Sequence, residues 1–436
     1  MFHLTATNFG PIKQFSGDLA RVNLLIGPQA SGKSTLAKLL YYFKMLPVEL
    51  AAFDPADSSG RDYYNQYVKV LKSYFLGLFG PVYRQPRFSI VYTFTIPGTD
   101  YEHTVQITKS RTLSNTNYPV IRFDRRLKEK LEHLLNDIVK FRNKEPKGLF
   151  NNRISRSKYE EARKDIQIKA DALFGEYNSY IFIPAGRSLM TLLSGQVKNF
   201  KSADPIMDDF LEVINGIRPL AGRGLAEIEE LARRTWPRLP NRTRAKLARE
   251  EIQKILRGRY AFDDGEERIY HDSGYTKLSV ASSGQQESLW VTLTAYMMIL
   301  ERRPIFAFFE EPEAHLYPES QYAIIRLMAL LVNANKSNQV LITTHSPYVL
   351  VSLNNLLAAN RLKSKHPLRV QEIIKRQYYL DINELRAYAF SDDGRADSII
   401  DEEISLIKAE AIDSASGIMN DEYNRMMDLE FGKAGK

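Results

Sequence analysis

The chain has 436 residues, of which 44% are hydrophobic and 26% are charged, and its formal net charge is +8. Because it contains no cysteine, disulfides, thiolate zinc sites and cysteine nucleophiles are excluded, and no apolar stretch reaches the about 20 residues that a membrane span requires. The length allows a large buried core. The N-terminus lacks the apolar centre of a signal peptide, so we expect a cytoplasmic protein without membrane contact.

The first predicted elements surround a loop that is typical of phosphate binding. RVNLLIG is typical of a strand and SGKSTLAKLLYYF of a helix, and residues 27–34 between them fit GxxxxGK[ST] without departure. Backbone N–H groups of such a loop face phosphates, while Lys33 is expected to reach the β- and γ-phosphates and Ser34 to bind Mg²⁺. The sequence thus predicts that a nucleoside triphosphate is bound by Gly27, Pro28, Ala30, Ser31, Gly32, Lys33, Ser34 and Thr35.

The next region is predicted to contain a hairpin, two helical stretches and a strand. RFSIVYTFTI and YEHTVQIT alternate in polarity around the turn PGTD. Residues 124–175 and 203–257 are predicted to be helical, the first with a break at NKEPKG and the strand SYIFIPAGR between the two. A second hairpin is predicted from RYAFDDGEERIY to YTKLSV. The apolar face of the first helix is expected to contain Leu127, Leu131, Leu134, Leu135 and Ile138.

From residue 281 onward, the pattern predicts helix, strand, helix, strand and helix. The strand PIFAFF ends at Glu310 and Glu311, the position where open α/β sheets bind ligands. We expect Glu310 to hold the Mg²⁺ shell and Glu311 to polarise the attacking water as general base. A zinc site at His315 is an alternative, but the segment lacks the second histidine of HExxH and contains helix-breaking prolines. A structural or subunit-contact role is therefore expected for His315.

Two further polar segments suggest a second half of the site. ASSGQQESLW opens an apolar helix, and Ser282, Gly284 and the helix N-terminus would make an additional anion site. A chain with one phosphate loop needs such a site only if two copies close each other's nucleotide. His345 follows the strand QVLITT, where it can hydrogen-bond the γ-phosphate or the attacking water. Each feature is common by itself, so their order and spacing carry the prediction.

The ordered motifs resemble those of the ABC-type ATPases of the RecF, SMC and OLD-like group. NFGPI is similar to their N-terminal element, GPQASGKST to Walker A, ASSGQ to the LSxGQ signature with Ala281 in place of leucine, FFEEPEAHLYP to Walker B with the D-loop, and TTHSP to the switch-histidine loop. The resemblance implies an α/β fold, with an ABC-type P-loop ATPase head of mixed sheet and antiparallel β subdomain and a compact helical insertion. It also implies ATP-dependent pairing of two chains, in which the residues acting in trans are Ser282, Ser283, Gly284 and Gln285.

The same resemblance predicts the domain order. Residues 1–120 and 259–365 are expected to form the two halves of the head, and 121–258 the helical insertion, from which the strand 179–184 returns to the head. Residues 366–436 are expected to be an acidic segment that either docks a partner or is a solvated face. The glutamine of the family's Q-loop has no counterpart that can be placed. Arg187 lies at the end of a predicted strand, and we expect it to form a structural ion pair rather than to contact a ligand.

Three functions are compatible with these motifs. The helical stretches are too short and interrupted for a long coiled-coil arm. OLD nucleases carry a metal-binding Toprim domain after the ATPase, but no such pattern follows His345, since Asp392-Asp393-Gly394 is typical of a β-turn. The chain looks like the ATPase subunits of the antiphage systems Septu, PARIS and retrons, which implies a sensor or scaffold that controls a separate nuclease or toxin after a phage protein or double-stranded DNA is detected. The alternatives are a RecF-like repair ATPase that binds duplex DNA through the basic insertion, and an OLD-like nuclease with an unrecognised active site.

Overall fold

The computed structural model describes residues 2–55, 62–82, 85–109, 119–143, 153–188, 204–221, 224–235 and 241–408. The strands in these ranges are β1 (Phe2–Phe9), β2 (Ile12–Asp18), β3 (Val22–Ile26), β4 (Ser89–Thr95), β5 (Glu102–Lys109), β6 (Pro119–Phe123), β7 (Ser179–Ile183), β8 (Arg259–Asp263), β9 (Glu266–His271), β10 (Gly274–Lys277), β11 (Ile305–Glu310), β12 (Gln339–Thr344), β13 (Leu385–Phe390), β14 (Ala396–Ser398), β15 (Ile400–Asp401) and β16 (Leu406–Ile407).

The helices of the same ranges are α1 (Lys33–Ala52), α2 (Tyr63–Phe79), α3 (Arg125–Asn143), α4 (Arg153–Phe174), α5 (Pro205–Ala221), α6 (Leu225–Thr235), α7 (Arg242–Leu256), α8 (Ser283–Glu301), α9 (Pro318–Val332), α10 (Pro347–Leu362) and α11 (Pro367–Ile373). Within the described residues, none of these helices combines the length and the apolar composition that crossing a membrane would need.

A six-stranded sheet carries the loops that form the site. Its strand order is β14-β13-β3-β12-β11-β7, and all neighbours pair in parallel except the edge strand β14. The strands β3, β11 and β12 are nearly continuous apolar runs, because both faces of the sheet are covered. Parallel strands end on the same edge of a sheet, so the loops after Ile26, Glu310 and Thr344 meet there.

Successive residues of the central strands point into two different cores. Phe306 and Phe308 pack with helices α1 to α4 and the antiparallel sheet, whereas Ala307 and Phe309 pack with helices α5 to α10. Side chains alternate between the two faces of a strand. One sheet therefore organises both lobes of the protein.

A five-stranded antiparallel sheet with the order β2-β1-β4-β5-β6 lies beside the first core. The predicted hairpin at its centre is present as β4 and β5, in which Tyr92 pairs with Val105. Every second residue of β4 is buried, as expected when one face of a sheet is covered. The predicted hairpin after residue 259 forms a further sheet of the order β10-β9-β8. The predicted fold class, α/β with a mixed sheet and an antiparallel subdomain, is thereby confirmed.

The insertion between the two halves of the head is mainly helical where it is described, apart from the end of β6 and the strand β7. The apolar face predicted for the first helix is present in α3, where Leu127, Leu131, Leu134, Leu135 and Ile138 are all buried. The strand expected at 179–184 is β7, which joins the edge of the central sheet beside β11. Most of the predicted break NKEPKG lies outside the described residues.

The C-terminal segment differs from its expected role as a separate acidic region. Strand β13 pairs in parallel with β3, with Ala387 opposite Leu24, and therefore belongs to the central sheet of the head. The predicted β-turn after β13 is present, and Gly394 adopts a φ of 80° there. A Cβ atom at Gly394 would lie 2.1 Å from the carbonyl oxygen of Pro11, so the turn packs against the N-terminal strands. Residues 409–436 lie outside the described residues.

Candidate functional site

The phosphate loop connects β3 to α1, and its backbone conformation requires glycine at two positions. Gly27, Ala30 and Gly32 have positive φ angles of 147°, 59° and 113°. A Cβ atom on Gly27 would lie 2.4 Å from the carbonyl oxygen of Phe390 in β13, so a larger residue would displace the loop. Helix α1 begins directly afterwards at Lys33. The first N–H group of this helix with a backbone partner is that of Leu36, which donates to Gly32 at 2.9 Å, so the N–H groups of Lys33, Ser34 and Thr35 are available to an anion.

Lys33 is held inside this loop. It is 4% exposed, and its Nζ donates to the carbonyl oxygens of Gly27 at 2.8 Å and Pro28 at 2.6 Å. The Nδ1 atom of His345 lies 3.2 Å from the same Nζ. Burial lowers the pKa of Lys33 to about 8, although nearby carboxylates act in the opposite direction. A phosphate beside this partly desolvated ammonium group would stabilise its proton.

The two predicted metal ligands, Glu310 and Ser34, lie close enough for Ser34 to affect the pKa of Glu310. Glu310 is 6% exposed and accepts the backbone N–H of Ala185 at 3.3 Å. Burial raises the pKa of its carboxyl, whereas the Ser34 hydroxyl and the charge of Lys38 lower it. Among the described residues its Oε1 is buried without a hydrogen-bond partner, which is uncommon for a carboxylate. Oxygen donors of this kind suit Mg²⁺, so the residues present fit a divalent cation.

Glu311 and His345 form a pair beside the phosphate loop. The Nε2 of His345 lies 2.5 Å from Oε1 of Glu311, and its Nδ1 lies 2.8 Å from the carbonyl oxygen of Gly27. Glu311 has a φ of 43°, which costs a non-glycine residue about 1–2 kcal/mol. Its backbone N–H donates to the Thr343 carbonyl at 3.0 Å. The carboxylate is thus fixed where it can accept a proton from water.

A cavity of about 250 Å³, here called the phosphate-loop cavity, is lined by Lys33, Ser34, Glu311 and His345 but not by Glu310. Gly27 and Pro28 lie behind it, where they accept hydrogen bonds from Lys33. The structure adds Pro11 and Gln29 to the predicted lining, and the motif NFGPI is the sequence signal that could have identified Pro11. The predicted residues that line it are Ala30, Ser31, Gly32, Lys33, Ser34, Thr35, Glu311 and His345.

Two contacts between residues without a predicted role hold the loops beside this cavity together. The Thr344 hydroxyl donates to the carboxylate of Glu313, which is buried and whose pKa is raised by that burial. The Ser346 hydroxyl contacts Oε1 of Gln321 in α9. The motifs EEPE and TTHSP mark Glu313 and Thr344 separately, but neither motif indicates that the two side chains meet.

The Ser282 turn, defined as residues 281–285, opens helix α8. Ser282 Oγ accepts the N–H of Gln285 at 3.4 Å, and Gln285 Oε1 accepts the N–H of Ser282 at 3.2 Å, which is a capping box. A Cβ atom on Gly284 would lie 2.7 Å from the carbonyl oxygen of His315, so the turn packs on the loop that follows β11. The side chains of Ser282 and Ser283 are exposed.

The Ser282 turn lines a different cavity, of about 450 Å³. This cavity, here called the Ser282 cavity, also contains Arg257, His271 and His315. None of the described residues lines both it and the phosphate-loop cavity. The loop after β11 runs from one to the other, since Glu311 lines the first and His315 the second. Within one chain the structure brings Lys33, Glu310, Glu311 and His345 together and leaves the Ser282 turn apart.

Arg187 connects the two regions from behind. It is fully buried, and its guanidinium donates to the carbonyl oxygens of Glu310 at 2.7 Å and Glu311 at 2.9 Å. Its Nε donates to the carbonyl oxygen of Glu287 at 3.0 Å and lies 3.4 Å from the carboxylate of that residue. Glu287 belongs to α8, the helix that the Ser282 turn opens. These contacts have the character of the structural ion pair that the sequence favours.

Comparison with known proteins defines the family. The AAA ATPase domain family matches residues 99–350, more than half of the chain. The chain belongs to the AAA ATPase domain family. This match confirms the predicted ATP-binding ATPase. It begins after the phosphate loop, so that loop is assigned from its motif and geometry.

The curated proteins contain no match to this ATPase, whereas many solved structures have a likeness to it, among them the three that follow. An SMC head bound to the C-winged helix domain of ScpA is 12% identical, with a TM-score of 0.43 over 92% of this chain and 98% of that chain. An SMC head domain from Thermotoga maritima is 13% identical, with a TM-score of 0.37 over 92% and 98%. The recombination mediator RecF with ATPrS is 12% identical, with a TM-score of 0.32 over 91% and 97%.

Proposed function

We propose that this ATPase hydrolyses ATP at two composite sites, each formed by the phosphate loop of one copy and the Ser282 turn of a second copy. The separation of the phosphate-loop cavity from the Ser282 cavity within one chain carries this proposal. The Ser282 turn offers two exposed hydroxyls and the N-terminus of a 19-residue helix, with Arg257 and His271 beside it. All of these groups suit a phosphate. A two-fold pair lets each copy complete the site of the other.

In this proposal, the residues of the phosphate-loop cavity have distinct roles. Lys33 and the backbone N–H groups of the loop bind the phosphates, and Ser34 and Glu310 hold Mg²⁺. When bound, Mg²⁺ neutralises the charge that develops on the phosphate oxygens. Glu311 accepts the proton of the attacking water, and His345 fixes the Glu311 carboxylate through the contact at 2.5 Å.

Mixing two inactive variants tests the composite site. Lys33→Ala removes a phosphate contact from one half, and Ser282→Asp places a negative charge in the other half while keeping a good helix cap. Each variant alone should be inactive. Their equimolar mixture should regain activity, up to about half of the wild-type rate, because each mixed pair has one intact site of two. A mixture that stays inactive, or a Ser282→Asp protein that hydrolyses ATP normally, would contradict the composite site.

We further propose that the paired ATPase is a sensor or scaffold that controls a separate effector, a nuclease or toxin, in a bacterial antiphage complex. The motif order and the compact helices in place of a long arm support this role through resemblance. Co-purification of the wild-type protein with the product of a neighbouring gene, lost in the Ser282→Asp variant, is the expected result. Cleavage of nucleic acid by the purified ATPase alone, unaffected by Lys33→Ala, would favour the OLD-like nuclease instead.

The RecF-like alternative is tested through the basic helix α3. Arg125 pairs with Glu129 at 3.0 Å and is 92% exposed, and the guanidinium of Arg126 lies 4.0 Å from the ring centre of Tyr101. Salt-dependent binding of duplex DNA that is lost when both arginines are changed to glutamate would favour this alternative. The side chains of Arg153 and Arg156, further basic candidates, lie outside the described residues.

A further inference from the structure

A third cavity, of about 400 Å³, lies at the far end of α9 and α10 from the phosphate-loop cavity. Both helices begin near the phosphate-loop cavity, α9 after the β11 loop and α10 after His345. With 15 and 16 residues and a rise of about 1.5 Å per residue, they extend about 22–24 Å away from it. Asn333 and Asn360 at their C-terminal ends line the third cavity. It is therefore distinct from the two cavities described above.

The lining of the third cavity is cationic and rich in amides. It includes the bases Arg244, Lys363 and Arg376, and none of its described residues is acidic. Its volume falls within the range of about 300–1,000 Å³ that small-molecule sites have. The basic residues come from three places in the chain: α7, the end of α10 and the turn after α11. Guanidinium and ammonium groups that converge in this way suit a ligand with phosphate groups.

Arg244 is the most informative member of this lining. Its Nε is buried without a hydrogen-bond partner, and in the described part of the chain only its backbone N–H donates, to Asn241 Oδ1 at 3.0 Å. Burial and the charge of Arg302 lower the pKa of Arg244. A desolvated cation without a counter-charge destabilises the protein, and a bound anion would offset that penalty.

The other bases also have free capacity. The Lys363 Nζ donates to Asn360 Oδ1 at 2.6 Å, which uses one of its three N–H groups. Arg376 is exposed and forms no ion pair with a described carboxylate. Helix α7, capped by Asn241, directs its positive end to the same place.

We propose that the third cavity is a second, non-catalytic binding site for a small phosphorylated ligand of nucleotide size. The guanidinium groups of Arg244 and Arg376 bind its phosphates through charge-assisted hydrogen bonds, and Lys363 supplies a third positive charge. The amide of Gln377, which also lines the cavity, is available to the polar remainder of the ligand. Because Glu311 is about a helix length away, the ligand is bound here without being hydrolysed.

Calorimetric titration of the full-length Lys33→Ala protein with inorganic pyrophosphate tests this site, since that substitution weakens the phosphate loop as a competitor. We expect one saturable site. Arg376→Gln in the same background should weaken pyrophosphate binding by at least about tenfold, because a charge-assisted contact is lost. Arg369→Gln, which changes an exposed arginine of α11 outside the cavity, should leave the affinity unchanged. Arg376 is exposed, so its replacement leaves the core intact.

Two outcomes would overturn the proposal: no saturable binding of pyrophosphate, or equal affinity in the Arg376→Gln and Arg369→Gln proteins. Further titrations identify the source of the phosphate. ATP that binds at least as tightly as pyrophosphate, together with adenosine that does not bind, supports a nucleotide. An oligonucleotide that binds equally with and without a 5′-phosphate, while pyrophosphate fails to bind, shows a nucleic-acid surface and refutes the small-ligand site.

Discussion

The phosphate loop and the Ser282 turn both lie beside the loop that follows β11. The polar groups of the two regions differ greatly in how many hydrogen-bond partners they find within their own chain. Lys33 has two carbonyl partners inside the chain, and Glu311 is paired with His345. Ser282, by contrast, is exposed, and among the described residues its side chain hydrogen-bonds only with Gln285. The first region is a nearly complete binding site, whereas the second has polar capacity that only another molecule can use.

The two regions also differ in how their positions are fixed. The phosphate loop is fixed locally, by positive φ angles at its glycines and by the carbonyl of Phe390 behind Gly27. The Ser282 turn is fixed through the helix behind it, because Glu287 of that helix binds Arg187. Arg187 in turn holds the carbonyl oxygens of Glu310 and Glu311. Substitutions can therefore test three roles separately: the hydrolysis chemistry at Glu311, the connection of the two regions through Arg187, and the pairing of two copies through Ser282.

The largest expected effect is that of Glu311→Gln on hydrolysis. Glutamine keeps the size of the side chain but cannot accept the proton of water, so the ATPase rate should fall by about 10²–10⁴-fold. ATP binding should be retained, and the ATP-bound pair should become more stable because it no longer turns over. Steady-state hydrolysis and light scattering with ATP measure both effects.

Glu319→Gln is the matched control for this substitution, since Glu319 is exposed in the first turn of α9 and lies outside the phosphate-loop cavity. Its hydrolysis rate should equal that of the wild-type protein. A Glu311→Gln protein that hydrolyses ATP within tenfold of the wild-type rate would show that another group accepts the proton.

The next largest effect is expected for Arg187→Gln, which removes the connection between the two regions. Glu287 would be left buried without its counter-charge, and breaking a buried pair in this way costs about 3–5 kcal/mol of unfolding free energy. Urea denaturation of the variant measures this loss. Arg303→Gln is the control, because Arg303 is 71% exposed in its ion pair with Glu301 and should change stability by less than about 1 kcal/mol. Equal stability of the two variants would contradict the buried connection.

Ser282→Asp should have a smaller effect, and one confined to pairing. Aspartate caps a helix as well as serine does, so stability should be kept, but its charge would repel the triphosphate of the partner copy. ATP binding to the single chain should therefore be unchanged, while hydrolysis falls by about 10²-fold. Analytical ultracentrifugation with ATP should find monomers. Ser337→Asp, at an exposed position between α9 and β12, should pair and hydrolyse normally; pairing by both variants would reject the role of Ser282.

The two regions were predictable from sequence for different reasons. The phosphate loop is local in sequence, and Gly27 and Gly32 stand where positive φ angles require them, so motif and geometry agree. The Ser282 turn was also local, as a serine cap with Gln285 three residues later. The pairing of Glu313 with Thr344 depends on tertiary structure, and no local pattern indicates it.

Sequence analysis missed the strand β13 and the helix α2, for different reasons. Strand β13 pairs with β3, whose Val22 lies opposite Leu385, and such a distant partner leaves no periodic signal in a short run. Helix α2 did leave one, because Tyr67, Leu71, Phe75 and Leu78 recur at helical spacing and are buried. The third cavity combines side chains from separate elements and could be found only from coordinates.

The smallest expected effect is a pH dependence that belongs to the phosphate loop alone. Burial lowers the pKa of Lys33 to about 8 in the unliganded chain, and a bound triphosphate should raise it, since an adjacent anion favours the ammonium form. Because the pKa is higher in the bound state, ATP affinity should be full below about pH 8 and decrease as the pH rises through that value, by at most about tenfold per pH unit.

Calorimetric titration of ATP into the Glu311→Gln protein at several pH values, in two buffers of different ionisation enthalpy, measures this decrease and the accompanying uptake of protons. The Ser282→Asp protein should show the same pH profile, because its phosphate loop is unchanged. An affinity that stays constant across the pKa of Lys33, or that rises with pH, would show that its ammonium group does not bind the phosphates. A profile altered only by Ser282→Asp would instead place the titrating group at the interface between copies.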